Sequence, residues 1–117
     1  MSTIKVNAFQ DTSGNGFYPA RAWVNFNGTG TVAILADGNV SSITDNGTGT
    51  YTINISSALA DANYGYTSMT QWVSGVSFNL CHIESGYTPT TTALKIATMN
   101  GNGGKTDCSR VGVNLTR

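Results

Sequence analysis

The chain predicts an all-β domain, an antiparallel β-sandwich or barrel-like fold preceded by a short N-terminal extension. Three observations predict it. Apolar and small polar residues alternate with period two in several separate runs. Clusters of Asn, Asp and Gly punctuate those runs at short intervals. No stretch shows the apolar period of an amphipathic helix, although 57–62 could form a single turn. The 117 residues suit one domain, divided here into an attachment or oligomerisation segment, 1–19, and a β-sandwich domain, 20–117.

Taken in order, the N-terminal segment is the least regular. Ile4, Val6 and Ala8 alternate as a short strand would, and 11–16 (Asp-Thr-Ser-Gly-Asn-Gly) then reads as a loop. Such a segment cannot be stable alone. It packs on a neighbouring subunit or a larger particle, or it is a frayed terminus. Strands are expected near 20–27, 31–36, 39–45, 50–56, 62–70, 72–83, 92–99 and 108–116. The first puts Ala20, Ala22, Val24 and Phe26 on one face and Arg21, Trp23 and Asn25 on the other. The fourth sets Tyr51, Ile53 and Ile55 against Thr50, Thr52 and Asn54. In the sixth, Val76, Phe78 and Leu80 are expected on the apolar face, with His82 in phase with them. The last alternates Val111, Val113 and Leu115 with Arg110, Gly112 and Asn114. Between them, 27–30, 37–39, 45–49 and 100–104 supply the residues that tolerate positive φ in turns.

Composition narrows the function. Charged residues are 10% of the chain and net charge is zero, against about 25% charged in an average domain. That argues against nucleic-acid or anionic-membrane surfaces, which need clustered Lys and Arg. No apolar run approaches the roughly 20 residues of a membrane helix. The opening MSTIKVNAFQ has no hydrophobic core of a secretory signal, so synthesis in the cytoplasm without export is expected. The two cysteines, Cys81 and Cys108, then read as small buried hydrophobes rather than a bridge.

Catalytic and metal motifs are weak. The stretch 101–106 (Gly-Asn-Gly-Gly-Lys-Thr) resembles the end of a phosphate loop, but Met99 stands where that motif needs Gly and no helix follows. A β-turn is expected there. His82, the single histidine, shares a strand side with Glu84, with no third ligand in view and no zinc spacing. A hydrogen-bonded histidine at the core edge is the plainer reading. The aspartates Asp37, Asp45 and Asp61 fall in turns. No catalytic residue, metal site or cofactor is assigned, and the chain is not expected to be an enzyme.

The aromatics are more informative. Trp23 sits in the polar register beside Arg21 and Asn25, so these three are assigned to an oligomer interface. A core that takes in both sheet faces, or a sugar-stacking platform, would explain Trp23 as well. Tyr64, Tyr66, Trp72 and Tyr87 are candidate ligand-binding residues for a glycan, or partners in cross-strand packing. Most predicted strands carry no charge, whereas free sheet edges are commonly guarded by charge or Pro. A closed homo-oligomer would bury those edges.

Within this frame, 22–32 (AWVNFNGTGTV) and 39–49 (NVSSITDNGTG), with the opening 2–7 and 11–14, resemble short tail-fibre and virion structural proteins of the marine-phage type. The likeness covers roughly residues 2–64 and does not extend past Gly65. It implies a virion component made in the host cytoplasm, typically a homotrimer, located in a tail fibre, head fibre or capsid decoration. Its partners would be copies of itself, other virion proteins and a host cell-surface glycan or protein. It offers no catalytic motif, and the absence of a long apolar run predicts no membrane insertion. A chain of this length is a small accessory subunit or a capsid-mounted protein built from a fibre-like module. Candidate presenting loops are 61–63, 85–92 and 100–105. The alternative reading is a carbohydrate-binding, lectin-like receptor-binding module.

Overall fold

The computed structural model describes residues 2–75 and 78–117, and every regular element among them is a strand. In chain order these are β1 (Ala20–Asn27), β2 (Ala33–Gly38), β3 (Val40–Asp45), β4 (Thr50–Ile55), β5 (Gly65–Thr70), β6 (Asn79–Ile83), β7 (Ala93–Asn100) and β8 (Val111–Thr116). They form two antiparallel four-stranded sheets, ordered β2-β1-β8-β5 and β3-β4-β7-β6. The sheets pack face to face as a sandwich, with β2 approaching β3 and β5 approaching β6.

The alternation explains which faces meet. Ala22, Val24 and Phe26 of β1 and Val111, Val113 and Leu115 of β8 are buried from one sheet. Tyr51, Ile53 and Ile55 of β4 and Leu94 and Ile96 of β7 meet them from the other. Phe26 and Tyr51 make an edge-on contact across the two layers, ring centroids 5.1 Å apart. Each full burial of such a side chain is worth about 1.5–3 kcal/mol, so these strands supply the bulk of the core.

Three expected elements are corrected. The strand expected over 72–83 is shorter: β6 begins at Asn79, and a turn occupies Ser74 and Gly75; Val76 and Ser77 lie outside the described residues. Its faces are also reversed. Phe78 and Leu80 are about half exposed, His82 is exposed, and Cys81 and Ile83 turn inward. Pairing with β7 decides this, because Cys81 lies opposite Thr98 and Ile83 opposite Ile96. Consequently His82 is a surface residue rather than a core-edge one. The segment 57–62 forms bends rather than a helical turn. Ile4, Val6 and Ala8 pair with nothing and no strand forms there.

Asn39 makes the corner where the chain leaves β2 in one sheet for β3 in the other. It is the only non-glycine residue with positive φ among the described residues, at 59°. Its Nδ2 donates to the carbonyls of Arg21 and Ser57, both at 3.0 Å, and its Oδ1 accepts from Ser57 N at 2.8 Å. Asparagine suits both demands, since it tolerates the left-handed region and carries a donor and an acceptor. Asn39→Ala is expected to cost about 2 kcal/mol, from lost hydrogen bonds and backbone strain. Asn39→Gly, which keeps the backbone conformation, should cost less than Asn39→Ala in urea denaturation.

The N-terminal arm lies outside the sandwich. Residues 2–19 are all exposed. A small hairpin interrupts the arm: Gln10 bridges Gly16, the carboxylate of Asp11 accepts from the backbone N–H of Ser13 and Asn15, both at 2.9 Å, and Phe9 contacts Phe17. The Cα radius of gyration is 15.8 Å, against about 13 Å for a compact chain of this length. The outstretched arm accounts for the excess.

Candidate functional site

Two places in the sandwich depart from plain core-and-surface packing. The first is a buried polar knot at one end. The hydroxyl of Tyr51 donates to Gly28 O at 2.8 Å and lies 2.7 Å from Oδ1 of Asp107, which also accepts from Gly49 N at 2.7 Å. Thr98 Oγ1 donates to Thr106 O at 2.5 Å. Burial, reinforced by the adjacent Asp107 carboxylate, pushes the Tyr51 phenol well above its ordinary range. The Tyr51 and Thr98 hydroxyls and Asp107 Oδ1 are all engaged from within the chain, so the knot ties the loops after β1, β3 and β7 together.

The second is the outer face of the β2-β1-β8-β5 sheet. Side chains that point away from the core line up in rows across the strands. Trp23 of β1 lies between Gly38 of β2 and Asn114 of β8, and Asn114 faces Thr67 of β5. In the next row Asn25 lies between Ala36 and Gly112, and Gly112 faces Met69. The indole of Trp23 lies against the backbone of Gly38, where a Cβ would collide with its Nε1. Trp23 is 41% exposed and Met69 79%. Between them Gly112 leaves a gap, and the result is an open concavity of about 800 Å³. No carboxylate lines it, and its one cation is Arg110, toward the Gln71 end. No protein group among the described residues hydrogen-bonds the side chains of Asn25, Asn114 or Thr67.

The residues assigned from sequence divide between this face and other places. Trp23 and Asn25 stand on it, as the alternation requires. Arg21 occupies a bulge at its margin, with Nε donating to Arg117 O at 3.3 Å. The four aromatics assigned to a ligand do not assemble into one platform. Tyr64 is 3% exposed, its hydroxyl donates to Thr90 O at 2.9 Å, and burial pushes its phenol up to about 12. It presents no ring face to solvent. Tyr87 is half-buried and donates to Ala93 O at 3.0 Å. Both tyrosines brace the 85–92 loop. Tyr66 packs edge-on against Tyr64, centroids 6.4 Å apart. It lines a cleft of about 390 Å³ between β5 and β6, with Cys81 and Ile83 across it. Trp72 is 60% exposed in the segment after β5.

Met69, Thr67, Gly112 and Asn114 of this face are not among the residues assigned from sequence. The only sequence signal was Gly112, a residue without a side chain inside an alternating strand. Which residues flank it depends on how β1 and β5 register against β8, and no local pattern states that.

The remaining candidates are structural or solitary. Both oxygens of Glu84 accept from Lys105 Nζ at 3.0 Å, whereas His82 faces outward. The 100–105 stretch is a tight turn whose Asn100 Oδ1 accepts from Asn102 N and Gly104 N, both at 3.0 Å. Arg117 pairs with Asp61 at 2.6 Å, and this contact holds the Asp61 carboxyl below its usual range. Both cysteines are free thiols. Among the described residues, no group of three or more His, Cys, Asp or Glu could hold a metal ion, and no helix is long and apolar enough to cross a membrane. No protein-family model, no curated protein and no solved structure matches the chain.

Proposed function

We propose that this chain is a bacteriophage virion structural protein, a fibre-like surface module in a tail fibre, head fibre or capsid decoration, that assembles as a homotrimer and contacts the host surface. The observation that carries the assembly part is the arm. Ile4 is 86% exposed, Val6 59%, Phe9 64% and Tyr18 79%. So many large apolar side chains on one unpaired segment are costly in water, and a chain evolved to remain free would shed them. β2, β3, β5 and β6 are the sheet edges, and β2, β3 and β5 place along them no Lys or Arg to discourage pairing. The likeness of residues 2–64 to phage structural proteins supplies the setting.

Trimer formation places three rigid sandwiches side by side, each holding its outer face and loops in fixed relation to the particle. Sedimentation of the full chain is expected to give three times its 12.2 kDa mass. Replacing Ile4, Val6 and Phe9 together by Ser should yield folded single copies. A full-length chain that stays monomeric at high concentration, together with purified phage particles lacking it, overturns the reading.

A further inference from the structure

The geometry points to the outer face of the β2-β1-β8-β5 sheet as a binding site for a short oligosaccharide, centred on Trp23 and the gap over Gly112. The inference deepens the host-contact part of the proposed function and rests on it only for its biological setting. The chemistry of the face argues for a sugar. A pyranose ring has an apolar C–H side and a rim of hydroxyls. The exposed side of the Trp23 indole meets the first, because a large flat ring buries apolar area without needing a charge. Asn25, Asn114 and Thr67 meet the second, with amide and hydroxyl groups that no partner among the described residues engages and that both donate and accept.

Two glycines build the site from opposite sides. Gly38 lets the indole lie down on β2, since a side chain there would collide with the ring. Gly112 opens the floor between Asn25 and Met69. A Cβ at Gly112 would meet nothing nearer than Met69 O at 3.8 Å, so packing does not require glycine there. The concavity of about 800 Å³ lies within the range of small-ligand clefts, about 300–1,000 Å³. With no carboxylate on the face and Arg110 at one end, the ligand is neutral, or bears an acid group only at that end.

The face also has the makings of a contact between copies, as the interface assignment of Arg21, Trp23 and Asn25 supposed. A protein partner would leave Asn25, Asn114 and Thr67 to be matched one by one, beside a concavity needing a protruding side chain to fill it. A sugar satisfies both conditions at once.

The test is two-dimensional NMR of the full chain titrated with cellohexaose, chitohexaose and 3′-sialyllactose, up to roughly 10 mM, ten times a 1 mM dissociation constant. At least one sugar is expected to shift the Trp23 indole N–H and the Asn25 and Asn114 side-chain amides saturably. Trp23→Ala should weaken that binding at least tenfold. Gly112→Val, which fills the gap without touching the core, should do the same while the rest of the spectrum stays that of the folded protein. The arm variant with Ser at 4, 6 and 9 should keep sugar affinity within twofold, so failed assembly and failed binding are read separately. The proposal is overturned if no sugar gives saturable shifts, or if binding survives both face substitutions. It is equally overturned if Trp23→Ala only dissociates the oligomer, which would make the face a contact between copies.

Discussion

Gly49→Ala is expected to destabilise the domain by about 3–5 kcal/mol, a large share of the roughly 5–15 kcal/mol that holds a domain folded. Two independent reasons add. Gly49 has φ +65°, where a residue with a Cβ loses about 1–2 kcal/mol. It is also enclosed: a Cβ would stand 2.5 Å from Thr98 O and 2.7 Å from Thr106 N. Those atoms belong to the hydrogen bonds between β7 and the loop after it. Thr98 N donates to Gly49 O at 2.8 Å and Thr106 N to Thr98 O at 3.0 Å, so relief requires moving paired backbone, comparable to overpacking a core. Gly47 in the same turn is the comparison. Its φ is +122°, but nothing lies within 4 Å of its added Cβ, so Gly47→Ala bears backbone strain alone. Urea denaturation of the two variants should show the larger loss at Gly49. Because φ +122° is itself the more strained position for a residue with a Cβ, a loss at Gly49 no larger than at Gly47 would limit enclosure to the difference in backbone strain.

Tyr51→Phe is the second large effect, about 3 kcal/mol. The substitution leaves the ring, its packing on Phe26 and the sheet register in place. It deletes the hydrogen bond to Gly28 O, leaving that buried acceptor unsatisfied at about 1–3 kcal/mol, and removes the hydroxyl that lies 2.7 Å from Asp107 Oδ1. The same residue sets the alkaline limit. Because the folded phenol titrates above its unfolded value near 10, the folded state holds its proton longer. The stabilisation is complete below about pH 10 and is lost as pH rises further. Tyr64, pushed up to about 12 by burial, adds in the same direction. So do the Cys81 and Cys108 thiols, raised by burial from 9.0. Thermal melts between pH 7 and 11.5 should therefore be level at first and then fall. Tyr51→Phe should start lower but fall less steeply, by up to about 1.4 kcal/mol per pH unit, one proton's worth. An unchanged alkaline slope would remove Tyr51 from that account.

Much of the fold was legible in advance, for reasons visible in particular residues. In β1, β4 and β8 every second residue is apolar and the intervening ones are Thr, Asn, Gly, Trp or Arg. One face is marked as core in each, with Trp23 the single exception to the pattern, and β1 falls at 20–27 as the alternation predicts. β6 was not legible in this sense. In Leu80-Cys81-His82-Ile83 both parities carry apolar residues, so alternation states no inward face. The partner strand chose it, and a one-residue change of phase exchanges the faces entirely. The candidate site divides similarly. Trp23 stood out because a large aromatic in a polar register is anomalous on its own strand. In the sequence Tyr64 and Tyr87 are equivalent to Trp72 as aromatics near loops, and only packing reveals that these two tyrosines are buried or half-buried supports for the 85–92 loop.

From its residues alone this protein is bound to be a charge-poor antiparallel β structure, because period-two alternation and Gly/Asn turns are local properties that neighbouring residues settle. Which glycine cannot be replaced, which aromatic is a brace and which a surface, and where a concavity opens were decided by the fold. Each depends on residues far apart in the chain: Gly49 on Thr98 and Thr106, Tyr51 on Asp107, Trp23 on Gly38 and Asn114. Such pairs meet only through strand register and sheet stacking, and those follow from the whole core packing at once.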